Sequence, residues 1–364
     1  MIKNKKVLVF LSFLTIFITA CSNSNNEAGN TNEVDTRQLA DEPFERQEFM
    51  LGTIVNIKVY DEDGEEALDK AIERIDELDG TFSMTNQNSE IYAINEASGK
   101  EPVKVSDNVY HVIDRAVNYA KESDGRMDPT IGALTSLWGI GTDEAAVPSQ
   151  EEIDEVLPLV DYTQVELNEE DQSVYLPQEG MKLDLGSIAK GYITDAATDV
   201  LVEEGVTTAI VDLGGDIYLL GASSRGANDK WRIGVQNPFE DRGEIVGLLP
   251  VIDEAVVTSG IYERLITDDE GNEYHHILNP ETGYPFDNEI AGLSVTADTA
   301  MDGDALSTVL FSMGLEDGLE YAATLEGVTA VFVTRDHEVY ISEGNEANFE
   351  LLDDSFEYKG AHIE

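Results

Sequence analysis

The segment LDLGSIAKGY at residues 183–192 brings together a carboxylate, two glycines, a hydroxyl and a lysine. Residues 181–185 alternate like the end of a strand, and Ser187 is a favourable N-cap, so a helix is expected to open here. The free N–H groups of a helix N-terminus bind phosphate, and Lys190 lies in the first turn. Asp184 can orient a ribose, a ring edge or a hydrated metal ion. An ordinary strand-to-helix turn has the same composition and is the alternative.

A second chemical segment is TAMDGDALSTVLFSMG at residues 299–314, whose apolar spacing predicts a buried helix. Asp304 and Thr308 lie four residues apart and therefore share one face of that helix. Mg²⁺ takes few protein ligands, so these two oxygens and a backbone carbonyl near Ser187 would suffice to hold it. In the alternative interpretation Asp304 only favours the helix N-terminus and Thr308 bonds to the preceding turn.

Two adjacent histidines, His275 and His276, lead into the turn Asn-Pro-Glu-Thr-Gly within residues 274–285. Adjacent residues of a short strand alternate in direction, so one imidazole can face a cleft as a general base near neutral pH while the other faces solvent. A zinc site would lack a third soft ligand. A purely structural histidine beside a turn is the other alternative.

Residues 125–141, GRMDPTIGALTSLWGIG, place Asp-Pro and glycine punctuation around apolar residues. This pattern indicates a loop that can close over an aromatic ligand. Trp138 is equally compatible with a place in the core.

The N-terminus reads as a lipoprotein signal peptide over residues 1–20. Three lysines precede an apolar run at residues 7–18, which is shorter than the ~20 residues of a spanning helix, and the sequence ITAC ends at the only cysteine, Cys21. We expect Cys21 to be lipidated, residues 21–40 to form a flexible tether, and the protein to be extracytoplasmic and anchored to the cell membrane. An uncleaved anchor or an ordinary secretory signal is the alternative.

The composition is strongly acidic, with 74 Asp and Glu against 22 Lys and Arg and a formal net charge of −52. This charge excludes nucleic acid as a partner, because the field repels a polyanion. The acidic residues suit either a solvated surface in a salty exterior or a cation-binding surface. An anionic substrate would need a local cation, which favours a divalent metal.

Strand and helix patterns alternate without a regular βαβ repeat, which predicts an α+β fold of mostly antiparallel sheets with packed helices. We expect a single catalytic unit at residues 41–350, a C-terminal tail at residues 351–364, and an insertion or small helical lobe at residues 142–171. The predicted helices are residues 65–78 and 109–120, and the predicted strands are residues 52–60, 209–212, 217–220, 232–236, 256–258, 328–334 and 338–342.

Together these segments resemble the FAD:protein FMN transferase family, the ApbE-type flavin transferases. The match runs in order from about residue 46 to residue 345, and small departures occur at Leu51, Met127 and Asn279. The segments that carry it are MLGT (50–53), DGRMDPTIG (124–132), LDLGSIAKGY (183–192), LGG (213–215), TSG (258–260) with YER (262–264), HILNP (276–280) with TG (282–283), and DALST (304–308).

The resemblance implies a Mg²⁺-dependent enzyme that cleaves FAD, releases AMP and attaches FMN by a phosphodiester to a Thr or Ser of an extracytoplasmic flavoprotein. By the family pattern Asp304, Thr308 and the Ser187 carbonyl hold the metal, and His276 is the candidate base for the acceptor hydroxyl. The residues implied to line the FAD cleft are Met50, Arg126, Met127, Asp128, Asp184, Lys190, Thr258, Ser259, Gly260 and Leu278.

Two other functions use parts of the same pattern. A metal-dependent FAD pyrophosphatase would use water as the nucleophile and release FMN and AMP. A non-catalytic, lipid-anchored FAD-binding protein would keep the cleft but could dispense with Asp304, Thr308 and His276, so their joint presence argues against it.

Overall fold

The computed structural model describes residues 37–268, 270–345 and 348–361, which fold around a nine-stranded sheet. The strands of the described residues are β1 (Leu39–Met50), β2 (Thr53–Asp61), β3 (Val103–Lys104), β4 (Glu166–Asn168), β5 (Ser173–Tyr175), β6 (Ala209–Leu213), β7 (Asp216–Leu220), β8 (Trp231–Gln236), β9 (Ile245–Val251), β10 (Glu254–Gly260), β11 (Leu265–Thr267), β12 (Glu273–His275), β13 (Ile290–Ala297), β14 (Thr329–Thr334), β15 (Glu338–Ile341), β16 (Glu350–Leu351) and β17 (Glu357–Gly360). The helices are α1 (Glu65–Leu78), α2 (Glu90–Glu96), α3 (Asp107–Glu122), α4 (Gly132–Trp138), α5 (Gln150–Val156), α6 (Ala189–Glu203), α7 (Ala300–Met313) and α8 (Leu315–Ala323).

The large sheet has the order β1-β2-β6-β7-β10-β13-β14-β15-β17. Its neighbouring strands are antiparallel except for the parallel pair β15 and β17. The remaining strands form two three-stranded sheets, β16-β9-β8 and β3-β5-β4, and the pair β11-β12. The predicted α+β class with mostly antiparallel strands is confirmed.

The large sheet is covered on both faces. Helices α1, α6 and α7 pack on one face and enclose the main apolar core, while β8 and β9 cover part of the other face with a second apolar cluster. All eight residues of β13 are therefore buried, although the strand lies in an antiparallel sheet. Several candidate functional side chains lie on α6, α7, β7 and β10, which pack against one another in this arrangement.

Local patterns predicted most of these elements. Helix α1 has the expected bounds, and α3 extends the expected helix by two residues at each end. The hairpin of β6 and β7 turns at Gly214 and Gly215, whose φ angles are 66° and 107°, as a two-residue turn of this kind requires. The predicted pairing of β14 with β15 is also confirmed.

The start of α6 differs from the prediction. The helix begins at Ala189, its N-cap is Ile188, and no side chain bonds at the cap, so Ser187 is not the N-cap. Residues 181–185 form no strand and contribute only an isolated parallel bridge between Lys182 and Ile131. The reason is partly a contact with a segment far away in the chain, because Asp184 donates its N–H to the carbonyl of Pro129 while its carboxylate accepts from the N–H of Gly186.

Three further predictions differ from the structure. Residues 125–141 contain the helix α4 and are not an open loop. Helix α4 packs in a small apolar cluster with α5, which lies in residues 142–171, where an insertion or small helical lobe is expected. Strand β1 begins at Leu39, inside the expected tether. The expected C-terminal tail, residues 351–364, supplies part of β16 and all of β17, so part of it belongs to the sheets.

Residues 1–36 lie outside the described residues, so the predicted signal peptide, the lipidation site Cys21 and most of the tether fall outside the structure. In the part of the chain that the structure describes, no helix has the length and apolar character needed to cross a membrane.

Candidate active site

An ion pair between Lys190 and Asp216 lies at the centre of the site. Lys190 is in the first turn of α6, and Asp216 is the first residue of β7, directly after the glycine turn. Asp216 is 1% exposed. Burial lowers the pKa of the Lys190 ammonium, but the carboxylates of Asp216 and Asp304 outweigh that effect and raise it. Lys190 is therefore charged at neutral pH.

Asp304 adds a second buried carboxylate to this pair. Its Oδ2 accepts a hydrogen bond from the backbone N–H of Gly191 at 3.0 Å. Burial raises the pKa of Asp304, and the neighbouring Asp216 carboxylate raises it further, against the opposing effect of Lys190. The cluster therefore contains two carboxyl groups and one ammonium, and either a proton on Asp304 or an additional cation completes its charge balance.

Helix α6 sets the position of α7. A Cβ atom on Gly191 would lie 2.2 Å from the carbonyl oxygen of Ala300, so only glycine allows this approach of the two helices. The Asp195 carboxylate accepts from the N–H groups of Ala300 at 2.7 Å and Met301 at 2.9 Å. These contacts fix the first turn of α7, and with it the direction of Asp304.

Strand β10 is tied to the same helix through hydroxyl groups. Ser307 donates to the carbonyl oxygen of Asp304 at 2.8 Å, and its Oγ lies 2.8 Å from the Oγ of Ser259. Thr258 Oγ1 lies 2.9 Å from Ser294 Oγ on β13. A Cβ atom on Gly260 would lie 2.3 Å from the Tyr262 ring. The predicted Thr-Ser-Gly residues therefore lie beside α7 and bring backbone close to the site.

The two histidines have different environments. His275 is buried, its Nδ1 accepts from the N–H of Ile277 at 3.3 Å, and its Nε2 donates to the carbonyl of Phe286 at 2.8 Å. The expectation that one histidine faces solvent is wrong for His275, because both of its nitrogens hold the turn. His276 is partly buried, and its buried Nδ1 has no hydrogen-bond partner among the described residues.

The pKa of His276 is lowered to about 4, first by burial and then by the positive charge of Arg264 and by His275. Lys190 lowers it further, which places the imidazole within the field of the charged cluster. His276 is therefore neutral at pH 7 and can accept a proton at Nδ1. A neutral imidazole is compatible with the expected general base near neutral pH, although the lowered pKa makes it a weaker proton acceptor than an exposed histidine.

The loop before α4 is held by Asp128. Its Oδ1 accepts from the N–H of Thr130 at 2.7 Å and from the Thr130 hydroxyl at 2.6 Å, and its Oδ2 accepts from the N–H of Tyr162 at 2.9 Å. Asp184 donates its N–H to the carbonyl of Pro129 at 2.8 Å. Both carboxylate oxygens of Asp128 are thus engaged in hydrogen bonds, and this residue holds the loop before α4 against the segment at Tyr162.

Trp138 is fully buried in the core, where its Nε1 donates to the carbonyl of Gly283 at 2.9 Å. This bond joins α4 to the turn that follows the histidines. In this structure the segment is a helix bonded to the turn at Gly283 and not a loop that closes over a ligand. The alternative that Trp138 belongs to the core is confirmed.

The other predicted cleft residues are placed as follows. Met50 and Met127 are buried in the main core, and Leu278 is buried in the cluster around Trp138. Arg126 is exposed and donates to the carbonyl of Ser312 at 3.1 Å, near the end of α7 away from the charged cluster. It lines a cavity of about 410 Å³ together with Asn279 and Ser312. The structure thus brings Lys190 and Asp304 together but leaves Arg126 at some distance.

The residues implied to hold a metal can be tested against the structure. Ser187 precedes α6, Thr308 follows Asp304 by one turn, and both are partly buried. No group of three or more His, Cys, Asp or Glu suited to a metal occurs within the described residues. Mg²⁺ needs few protein ligands, however, and the buried Oδ2 of Asp216 lacks a partner in the same part of the chain. These oxygen donors fit a hard divalent cation.

Sequence reasoning missed two residues of the site, Asp216 and Arg264. Asp216 directly follows the glycines 214–215, and a carboxylate at the end of a tight turn was the available signal. Arg264 stands in the Tyr-Glu-Arg segment. Arg264 and His276 flank the paired strands β11 and β12, in which Leu265 lies opposite His275, so recognition of this hairpin was the available signal.

The chain was compared with known proteins. The model of the ApbE family matches residues 51–332. A FAD:protein FMN transferase of Klebsiella pneumoniae (strain 342) is 35% identical over 308 residues, which cover 85% of this chain and 94% of the relative. A FAD:protein FMN transferase of Treponema pallidum is 33% identical over 328 residues, which cover 86% of this chain and 90% of the relative.

Solved structures agree with these matches. The crystal structure of the ApbE protein from Thermotoga maritima has a TM-score of 0.78 and 32% identity, covering 84% of this chain and 99% of that one. The flavin transferase ApbE from Vibrio cholerae has a TM-score of 0.72 and 25% identity, with the same coverage. The relatives are transferases by name, and the fold is that of a solved flavin transferase. This chain belongs to the ApbE family.

Proposed function

We propose that this protein is a Mg²⁺-dependent FAD:protein FMN transferase. The observation that carries the proposal is the placement of a neutral imidazole, His276, in the field of the buried cluster of Lys190, Asp216 and Asp304. This arrangement supplies a proton acceptor, a cation for phosphate and carboxylates for a metal. Relatives of this chain are named FAD:protein FMN transferases, and transfer of a phosphoryl group to a hydroxyl uses a proton acceptor and positive charge at the phosphates.

In the reaction, the hydroxyl oxygen of a Thr or Ser on the acceptor protein attacks the phosphorus on the flavin side of the FAD pyrophosphate. The new P–O bond joins FMN to the acceptor, and the bond from that phosphorus to the bridging oxygen breaks, so that AMP leaves. The hydroxyl proton passes to Nδ1 of His276, which is neutral at pH 7. Lys190 binds a phosphate through its ammonium group. The N–H groups of Ala189 and Gly191 at the start of α6 already donate to the Leu185 carbonyl and to Asp304, so the expected phosphate site on the free helix N-terminus is wrong for these two groups.

Asp304, Thr308 and the carbonyl of Ser187 would hold the metal. A bound Mg²⁺ supplies positive charge that stabilises the charge growing on the pyrophosphate oxygens. The surrounding residues exclude water from this part of the cleft, since Asp304 and Asp216 are 6% and 1% exposed.

We also propose that the enzyme acts outside the cytoplasmic membrane, anchored through lipid on Cys21. The support is the apolar run at residues 7–18 that ends in ITAC. The acceptor would then be an extracytoplasmic flavoprotein with a Thr or Ser attachment site.

The proposed function is tested by incubating the full-length protein, in detergent, with FAD, Mg²⁺ and a candidate extracytoplasmic flavoprotein domain, and then weighing that domain. The expected result is a mass increase of one FMN less one water, which an acceptor with Ala in place of the attachment Thr does not show. Release of free FMN and AMP, with every acceptor offered unmodified, would instead identify a FAD pyrophosphatase.

A further inference from the structure

One carboxylate oxygen in the site, Oδ2 of Asp216, has no role in the proposed reaction. Oδ1 of Asp216 pairs with Lys190, while its Oδ2 is buried and receives no hydrogen bond from an N–H or hydroxyl group among the described residues. Asp216 is 1% exposed, and its carboxyl group lies within hydrogen-bonding reach of the Asp304 carboxyl group. Two buried carboxyl groups in contact must share either a proton or a cation, so this pair is a place for a positively charged ligand.

The backbone of Asp216 is held in place. It pairs with Leu213 across the β6–β7 hairpin and with Val257 on β10, inside the large sheet. A residue with strand partners on both sides cannot swing its backbone away to hydrate the carboxylate. The Asp216 carboxyl group is therefore kept beside Asp304, whose own position is fixed by the N–H of Gly191 on α6.

The charges around this oxygen point to a cation. Asp216 and Asp304 carry two potential negative charges, and Lys190 supplies one positive charge. One carboxylate oxygen is enough for the contact with the ammonium, so holding Lys190 in position does not account for the second oxygen. Hard divalent cations such as Mg²⁺ prefer carboxylate oxygens of this kind.

We propose that Asp216 is a further ligand of the divalent metal, binding it through Oδ2 while Oδ1 holds Lys190. The inference rests on the metal dependence in the proposed function and adds a residue to that site. Asp216 would then contact both the Lys190 ammonium, which binds phosphate, and the metal, which neutralises the charge of the phosphate. Both cations would therefore be held by one residue of β7.

The test measures Mn²⁺ binding to the full-length protein in detergent, without FAD, from the electron paramagnetic resonance signal of free Mn²⁺. Asp216→Asn is nearly isosteric and is expected to weaken Mn²⁺ binding about 10- to 100-fold, the usual effect of changing groups that organise a metal site. Lys190→Met is expected to bind Mn²⁺ at least as tightly as the wild type, because it removes a repelling positive charge.

Asp212→Asn is the matched control on the same hairpin. The Oδ1 of Asp212 accepts from the N–H of Gly215 at 2.9 Å, a contact that asparagine can keep. This variant is expected to bind Mn²⁺ within about twofold of the wild type. Equal weakening in Asp212→Asn and Asp216→Asn would show a general charge effect and overturn the assignment.

The remaining outcomes separate the inference from the function. If Asp216→Asn binds Mn²⁺ with wild-type affinity but binds AMP more weakly, Asp216 only positions Lys190. That result would overturn the metal-ligand proposal and leave the proposed function standing. A wild-type protein that binds no divalent metal would overturn both the metal-ligand proposal and the proposed function.

Crystals of the wild type with Mn²⁺ provide a measurement that does not depend on a variant folding. The ion is expected within about 2.5 Å of Asp216 Oδ2, and an ion bound to Asp304 without Asp216 contradicts the proposal.

Discussion

The backbone N–H of Gly191 donates to Oδ2 of Asp304 at 3.0 Å, so the first turn of one helix directly holds the acidic residue of another. The bond forms because Gly191 has no side chain where the backbone of Ala300 approaches. A small residue on α6 therefore determines where a chemical group on α7 lies.

The first prediction concerns this close approach. Gly191→Ala would place a methyl group 2.2 Å from the Ala300 carbonyl oxygen, so α6 and α7 must separate. We expect a loss of about 1–3 kcal/mol in the free energy of unfolding and loss of FMN transfer, measured by denaturant titration and acceptor mass. Gly226→Ala is the control, because its Cβ would meet Asp229 at 3.5 Å, an ordinary contact. Wild-type stability in Gly191→Ala would show that the helices need no such contact.

The second prediction concerns Asp304. Asp304→Ala is expected to lower FAD turnover at least about a hundredfold, because a metal that stabilises transition-state charge contributes several kcal/mol. Turnover is followed as AMP release. Asp302→Ala is the control on the same helix, since Asp302 instead pairs with Arg115 at 2.9 Å. Full activity of Asp304→Ala in excess EDTA would contradict the metal hypothesis.

The third prediction separates the two histidines. His276→Ala is expected to keep FAD and Mg²⁺ affinity but lose about 10²- to 10⁴-fold in FMN transfer, the usual contribution of a positioned base. His275→Ala should instead lower thermal stability, because both of its ring nitrogens bond to backbone. Binding is measured by flavin fluorescence and transfer by mass. If His276→Ala transfers FMN at the wild-type rate, the base lies elsewhere.

The fourth prediction is a pH profile. The pKa of His276 is lowered to about 4 by burial, Arg264 and His275, so the imidazole stays neutral as the pH falls from 8 to 6. We expect kcat/KM for FMN transfer to be independent of this group over that range. Arg264→Gln removes a positive charge and should shift the acid limb of the profile to higher pH. An acid limb centred near 6.5 in the wild type would mean that His276 has an ordinary environment.

The fifth prediction concerns Cys21. Cys21→Ser is expected to release the protein from the membrane fraction and leave FMN transfer unchanged, because every residue proposed to act in the reaction lies at position 187 or later in the chain. Membrane flotation and the mass of the N-terminal peptide are the measurements. Retention of the variant in membranes with an unprocessed mass would favour a spanning anchor.

Much of the fold could be read from local patterns. Apolar spacing is a property of the segment itself, so α1 and the hairpin around Gly214 and Gly215 appear where periodicity and turn chemistry place them. The start of α6 could not be read in this way. Asp184 uses its carboxylate on the turn and its N–H on a distant loop, and these bonds displace the helix start from Ser187 to Ala189.

The sequence by itself determined the α+β class, the family resemblance and the residues Lys190, His276 and Asp304, because motifs and periodicities are local. Only the tertiary structure decided that Asp216 joins Lys190 and Asp304 and that His276 is neutral. Burial and electrostatic contact arise between segments far apart in the chain. Whether a carboxylate is hydrated, paired or left without a donor is therefore settled by packing and not by the neighbouring residues.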